Sequence, residues 1–195
     1  MPEKTNYKIA DQQIKYLTQK EVKSLFSQIQ DKRDKALFAT IYRYGLRVSE
    51  ATLLTLDSIN WDDNRIYIRR VKNGISTERR LYDDVRRAIK AYLRVRQETG
   101  TALFTGREGD LKPNTIAKLF KKYARQAKLD NKASIHSLRH SCGVHSLEAG
   151  LDVREVQDLL GHRNIQNTMI YTQISDKKRE RVDKRLEESP DIVKI

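Results

Sequence analysis

Apolar residues recur at helical spacing through most of the chain, and each run is bounded by a recognisable stop. Thr18 and Glu21 form a capping box ahead of a helix reaching about Gln28, with Val22, Leu25 and Phe26 on one face. A second helix, from about Arg33 to Tyr44, buries Leu37, Phe38 and Ile41 and is stopped by Gly45. Arg47 lies in the turn before a short helix, with Ser49 as the expected cap. Between Ser58 and Tyr82 the period becomes alternating. Ile59-Asn60-Trp61, a turn at Asp62-Asp63-Asn64, Ile66 and Ile68, an Asn73-Gly74 turn and a return strand to Leu81 predict a small antiparallel sheet. Helical spacing resumes from about Asp84 to Arg96, with Val85, Ile89, Tyr92 and Leu93 inward. A loop holding Gly106, Gly109 and Pro113 then leads to a helix from about Asn114 to Lys128, whose stripe is Ile116, Leu119, Phe120, Tyr123 and Ala127.

In the last third, Ile135 begins a helix that Gly150 can end, and Asp152 with Glu155 resembles another capping box. Gly161 ends the helix so opened, leaving His162 at a corner and Tyr171 on a short segment nine residues later. These elements predict an α+β domain, mainly helical with a small antiparallel β-sheet, over residues 18–174. Residues 1–17 are polar without clear periodicity and read as an arm. Residues 175–195 interleave both charges around Val182 and Leu186 and end with Ile192, Val193 and Ile195. Such a tail cannot hold a core of its own and gains by docking in a hydrophobic groove.

Composition narrows the class. The chain has 195 residues, 38% hydrophobic and 33% charged, enough for one ordinary core. Its 39 Lys+Arg against 26 Asp+Glu give a formal +13, which favours a polyanion as partner, although a generally basic soluble protein has the same balance. The single cysteine, Cys142, excludes an internal disulfide and leaves no thiolate pair for zinc. With no signal-peptide pattern and no apolar run near the roughly 20 residues of a membrane helix, a cytoplasmic address is expected.

All four histidines, His136, His140, His145 and His162, lie between Ile135 and Tyr171. His136 and Arg139, three apart on a helix, project from one face, so a base and a permanent cation point at one place. That pairing suits a phosphodiester. A tyrosine hydroxyl, with a pKa near 10, is only about 0.1% ionised at neutral pH and needs both a base and a cationic setting to act as nucleophile. Guanidinium supplies the second, because its planar donors match two phosphate oxygens. A zinc hydrolase competes, since His136 and His140 have the spacing of two metal ligands, but Ser137 stands where a metalloprotease carries its glutamate. His140 and His145 read as structural. Around Lys72, the residues Arg65, Arg69, Arg70, Arg79 and Arg80 make the hairpin basic and fit it for a DNA groove. Lys118, Lys121, Lys122 and Arg125 form a second basic face, opposite the apolar stripe of its helix, in a stretch without acidic residues from Leu111 to Lys128.

The residues His136-Ser137-Leu138-Arg139-His140, Leu160-Gly161-His162 and Tyr171-Thr172, with Tyr44-Gly45-Leu46-Arg47-Val48-Ser49-Glu50 upstream, resemble the signature of the tyrosine recombinases, or phage integrase family. The likeness covers roughly residues 18 to 175, and RRVKNGISTERRL, LRHSCG and QDLLGHRNIQNTMIYT look closest to the short recombinases that invert fimbrial promoter segments. The resemblance implies a tyrosine recombinase catalytic fold and a catalytic set of Arg47, Lys72, His136, Arg139, His162 and Tyr171. It also implies attack by Tyr171 to give a 3′-phosphotyrosyl link, with Arg47 and Arg139 clamping the phosphate and His162 bonding one of its oxygens. His136 would assist the tyrosine proton and Lys72 would protonate the 5′ oxygen. No cofactor, metal or ATP is implied; the partner is double-stranded DNA, and the assembly is a homotetramer on DNA in which the tail passes to a neighbour. Typical members carry a separate DNA-binding domain before the catalytic one, and here about 17 residues precede it, which fits a complete short recombinase or a fragment of a longer integrase. A type IB topoisomerase and a non-catalytic DNA-binding regulator are the alternative functions.

Overall fold

The computed structural model describes residues 15–97, 100–106, 109–172, 183–184 and 187–188. Helix α1 (Gln19–Ser27) starts at the Thr18–Glu21 capping box and presents Val22 and Leu25 to the core. Helix α2 (Lys32–Tyr44) is capped by the Asp31 side chain and ends at Gly45, whose left-handed backbone (φ 54) no side-chain-bearing residue adopts as readily. Its Leu37, Phe38 and Ile41 are wholly buried, and Phe38 meets Phe120 and Tyr123 edge-on. Helix α3 (Val48–Ala51) follows at once. Ser49 does not cap it. Arg47 occupies the capping position, and the Glu50 carboxylate accepts the Arg47 backbone N–H at 2.9 Å.

Strands β1 (Ile59–Asn60), β2 (Arg65–Ile68) and β3 (Thr77–Arg80) form an antiparallel sheet in that order, with Ile66 opposite Ile59 and Arg79. Ile66 and Ile68 face the core while Arg65 and Tyr67 face solvent. The tip departs from the expected Asn73-Gly74 turn. Lys72 and Asn73 are the two central residues with positive φ (55 and 59), closed by Gly74 N–H donating to Val71 O at 3.1 Å. Gly74 instead answers a need for space: a Cβ there would lie 2.9 Å from both Arg70 Cβ and Gly161 O.

Helix α4 (Asp83–Leu93) packs on α2 and ends three residues before the expected Arg96. The loop after it contains a two-stranded pairing of β4 (Thr105–Gly106) with β5 (Gly109–Asp110). Helix α5 (Pro113–Gln126) begins on its proline and buries Ile116, Phe120, Tyr123 and Ala124. Helix α6 (Ile135–Glu148) then runs through the middle of the molecule. Ser137, Leu138, Arg139, Ser141, Cys142, Val144, His145 and Leu147 are all buried and only His136 is exposed, so polar and apolar positions do not sort into a wet and a dry face. Its Ile135 and Leu138 belong to the main core, and Cys142, Val144 and Leu147 to a second cluster with Val156, Leu159, Leu160 and Tyr171. Helices α7 (Val153–Leu160) and α8 (Gln166–Thr172) supply the rest of that cluster.

Of the expected arm, residues 15–17 pack on this frame: Leu17 N–H donates to Ser141 Oγ at 2.7 Å and Lys15 pairs with Asp130. The tail beyond Thr172, apart from four residues, lies outside the described residues, as does its expected docking. No helix among the described residues is long and apolar enough to cross a membrane.

Candidate active site

The left-handed stop at Gly45 turns the chain so that Arg47 opens α3 and its guanidinium donates to Glu50 Oε1 at 2.7 Å. Glu50 is 1% exposed and is the hub of the site. Its other oxygen pairs with Arg70 at 2.9 Å and lies 3.6 Å from Arg139 Nη1, and Oε1 also accepts from Val71 N–H at 3.3 Å. Burial pushes this carboxyl up, but the charge of Arg70 and the donors of Arg47 outweigh it and hold it below the usual carboxylate range. Three guanidiniums around one carboxylate leave a surplus of two positive charges among the described residues of the cluster.

Arg70 does not face outward. All four of its Nη hydrogens go to the chain's own oxygens: Gly45 O and Glu50 from Nη1, Tyr44 O at 3.0 Å and Leu159 O at 2.6 Å from Nη2. Its Nε hydrogen has no partner among the described residues but is buried with the rest of the side chain, so Arg70 offers nothing to an external phosphate, contrary to its expected place on a DNA surface. Strand alternation carried the signal, because Arg70 continues the inward parity of Ile66 and Ile68 while Arg69 is exposed. The loop bearing Lys72 is anchored as well: Ile75 N–H donates to Gly161 O at 3.2 Å, and Arg70 N–H to Ser76 Oγ at 3.0 Å. Lys72 itself is exposed.

Arg139, 4% exposed, donates from Nη1 to Gly45 O and from Nη2 to Leu160 O at 3.1 Å and His162 Nε2 at 2.7 Å. A guanidinium only donates, so His162 accepts at Nε2 and carries its hydrogen on Nδ1, which faces Thr168 Oγ1 at 2.9 Å. Burial, then the charges of Arg139 and Arg47, push His162 down to about 3, so the ring is neutral. His136 stands at the solvent edge. Desolvation lowers its pKa too, followed by Arg139, Arg47 and Lys72, which places these four residues in one electrostatic neighbourhood.

Tyr171 lies on α8 with its ring against Gly143 of α6, where a Cβ would come within 2.9 Å of two ring carbons. Its hydroxyl is 3.0 Å from His140 Nδ1. His140, expected to be structural, thus contacts the candidate nucleophile. Tyr171 is 1% exposed; burial pushes it up to about 12, against the opposing field of Arg139. His145 is the structural histidine, with Nδ1 at 2.8 Å from Tyr42 Oη. Sequence reasoning also passed over Thr168, which no motif marked.

Outside this cluster, Arg69, Lys118, Lys121, Lys122 and Arg125 are exposed. On α5, Lys121 reaches Asn131 O at 2.8 Å and Lys122 lies over the Tyr123 ring at 5.2 Å.

The model of the phage integrase family matches residues 15–178. The chain belongs to that family. Among its relatives, the tyrosine recombinase XerA of Pyrococcus horikoshii is 35% identical over 184 residues, spanning 92% of this chain and 64% of that protein. The type 1 fimbriae regulatory protein FimE of Escherichia coli is 34% identical over 168 residues, 81% of this chain and 85% of the relative. The crystal structure of XerA recombinase superposes with a TM-score of 0.78 at 24% identity, over 93% of this chain and 66% of that one. XerH recombinase, solved bound to a palindromic difH substrate after cleavage, shares the family fold at a TM-score of 0.72 and 20% identity, over 89% of this chain and 54% of that one. The chain thus spans less than two thirds of the length of the XerA proteins it matches.

Proposed function

We propose that this chain is a site-specific DNA recombinase that breaks and rejoins double-stranded DNA through Tyr171. The observation that carries the reading is a cluster with two surplus positive charges on Arg47, Arg70 and Arg139, the last of which stands on the same central helix whose His140 lies against the tyrosine hydroxyl. A phosphodiester carries one negative charge, and the pentacoordinate transition state gains a second. The surplus therefore favours the transition state over the ground state, without the divalent metal that many nucleases employ.

On this reading the Tyr171 oxygen bonds to phosphorus and the bond to the 5′ oxygen breaks, leaving a 3′-phosphotyrosyl link and a free 5′ hydroxyl. Lys72 delivers a proton to that 5′ oxygen, and a neutral imidazole takes the proton of Tyr171, a role the resemblance assigns to His136. Arg47 and Arg139 hold the nonbridging oxygens. For His162 to donate to one of them, its Nε2 must exchange the Arg139 hydrogen bond for a proton, so arrival of the phosphate switches its tautomer. Arg69 and the α5 residues Lys118, Lys121, Lys122 and Arg125 contact the DNA backbone; Arg70 supports the frame instead. A homotetramer assembled on DNA through the tail completes the proposal.

Incubation with a nicked duplex, drawn from source-genome segments that co-purify with the covalently attached protein, tests the reading. Wild-type protein should give an adduct that maps to Tyr171, and Tyr171→Phe should bind without forming one. Adduct formation by Tyr171→Phe, or relaxed plasmid with no recombinant product from wild type, would overturn it.

A further inference from the structure

We propose that His140, rather than His136, is the imidazole that receives the Tyr171 proton as the tyrosine attacks phosphorus; the inference rests on the recombinase reading. The Tyr171 hydroxyl and His140 Nδ1 lie 3.0 Å apart, and which of them donates depends on the tautomer; acting as the base assigns the hydrogen of His140 to Nε2 and leaves the Nδ1 lone pair on the reacting oxygen. The contact is built rather than incidental. The two rings lie 5.8 Å apart, and Gly143, one turn along α6 from His140, lets the tyrosine ring lie against the helix where a Cβ would come within 2.9 Å of two of its carbons. Any side chain at 143 would push the ring off the helix and the hydroxyl off Nδ1.

His136 is placed for different work. It lies one turn nearer the start of α6, at the solvent edge, among Arg139, Arg47 and Lys72, and no hydrogen bond joins it to Tyr171 among the described residues. Along α6, then, His136 and Arg139 address the phosphate and His140 addresses the nucleophile.

The direction of proton flow follows. His140 is pushed down to about 4 by burial and then by His136 and Arg139, while Tyr171 is held up at about 12. In the resting site the proton therefore stays on the tyrosine, and no free phenolate forms. Transfer to Nδ1 accompanies formation of the oxygen–phosphorus bond, when the phenol oxygen loses its basicity and the incoming phosphate charge favours the imidazolium. In the rejoining step, the 5′ hydroxyl attacks phosphorus, the phenolate departs, and His140 returns the same proton to it. Protons balance over the cycle with no outside acid or base beyond Lys72.

Two measurements on the full chain test this. The first needs no DNA. Nitrogen-15 NMR of the histidine rings should show His140 with a hydrogen on Nε2 and a hydrogen-bonded, unprotonated Nδ1, and Tyr171→Phe should move the Nδ1 resonance alone. A hydrogen on Nδ1 would overturn the proposal whatever the chain does to DNA.

The second is the single-turnover rate of adduct formation on the nicked duplex described above. His140→Asn keeps an acceptor near the Nδ1 position but cannot take a proton, so the rate should fall by about 100-fold or more and rise with hydroxide concentration. Difluorotyrosine at position 171, whose phenol is more acidic, should restore much of the rate to a folded His140→Asn protein and none to Arg139→Ala. A rate for His140→Asn within a few-fold of wild type sinks the proposal. So does a variant that difluorotyrosine fails to rescue. Wild-type protein that forms no adduct condemns the recombinase reading itself, a result separable from the first by the unchanged wild-type control.

Discussion

Arg139 Nη2 lies 2.7 Å from His162 Nε2, and that bond dictates which nitrogen of His162 carries hydrogen. The opposite nitrogen then requires an acceptor, which Thr168 provides from inside the protein at 2.9 Å with no exposed surface of its own. Thr168→Val preserves shape and removes the acceptor. The buried N–H left unpaired should cost about 1–3 kcal/mol of stability, read as a lower urea midpoint at unchanged slope. An unaltered midpoint would mean that the Nδ1 hydrogen of His162 does not depend on Thr168.

Neighbouring arginines on the hairpin should behave in opposite ways. Arg70→Ala leaves Glu50 buried with a lost partner and should destabilise the fold by about 3–5 kcal/mol. Arg69→Ala, at an exposed position, should change stability by less than about 0.5 kcal/mol. It should instead weaken DNA binding across sequences and lower the salt slope by about one. Equal stability losses in the two variants would contradict the parity assignment.

Acid should weaken the protein through its buried neutral histidines. His140 and His162 titrate near 4 and 3 when folded, below the ordinary value of about 6.5, so the unfolded chain binds more protons between those limits. The stability they contribute is complete above pH 6.5 and is lost as the pH falls toward the folded values, by up to roughly 1.4 kcal/mol per unit for each ring. Urea titrations at a series of pH values should show this slope, and His162→Asn should flatten it. At the alkaline end Tyr171 acts in the opposite sense. Its raised pKa of about 12 means that stability declines once the pH passes about 10, where the unfolded phenol ionises.

Lys72 can be tested through the group it is proposed to protonate. A duplex with sulfur at the bridging 5′ position has a leaving group that needs no acid, and it should restore most of the cleavage lost in Lys72→Ala. Arg139→Ala should gain little, because its defect is loss of charge at the nonbridging oxygens. Equal rescue of both would make Lys72 a binding residue.

The elements that could be read from the sequence are those with one wet face and one dry one. Helices α1, α2, α4 and α5 show this periodicity and lie where it predicts, and the β2 alternation holds through Ile66 and Ile68. Helix α6 gave no such signal, since Ser137, Arg139, Ser141 and His145 are buried beside Leu138 and Val144. It was found through its chemistry. Other features arise only from tertiary contact. The tip turn shifted by one residue because Gly74 is needed where the loop meets Gly161, and two-residue strands such as β4 and β5 are too short to alternate. The pairing of His140 with Tyr171 joins residues 31 apart that no local pattern relates.

The carbonyls of Tyr44, Gly45, Leu159 and Leu160, which receive Arg70 and Arg139, are the closing carbonyls of α2 and α7. Such carbonyls form the negative pole of a helix macrodipole, and cations beside them are stabilising. The same guanidiniums therefore cap two helices and set the charge of the site, so the orientation of Arg139 is dictated by the ends of those helices. Lysine, a single ammonium at the end of a flexible stem, cannot span both ends in this way. A change from arginine to lysine at 139 keeps the charge but removes one of the two links between the ends of α2 and α7, leaving only that of Arg70, so its lost activity would report a loosened scaffold as much as a missing contact.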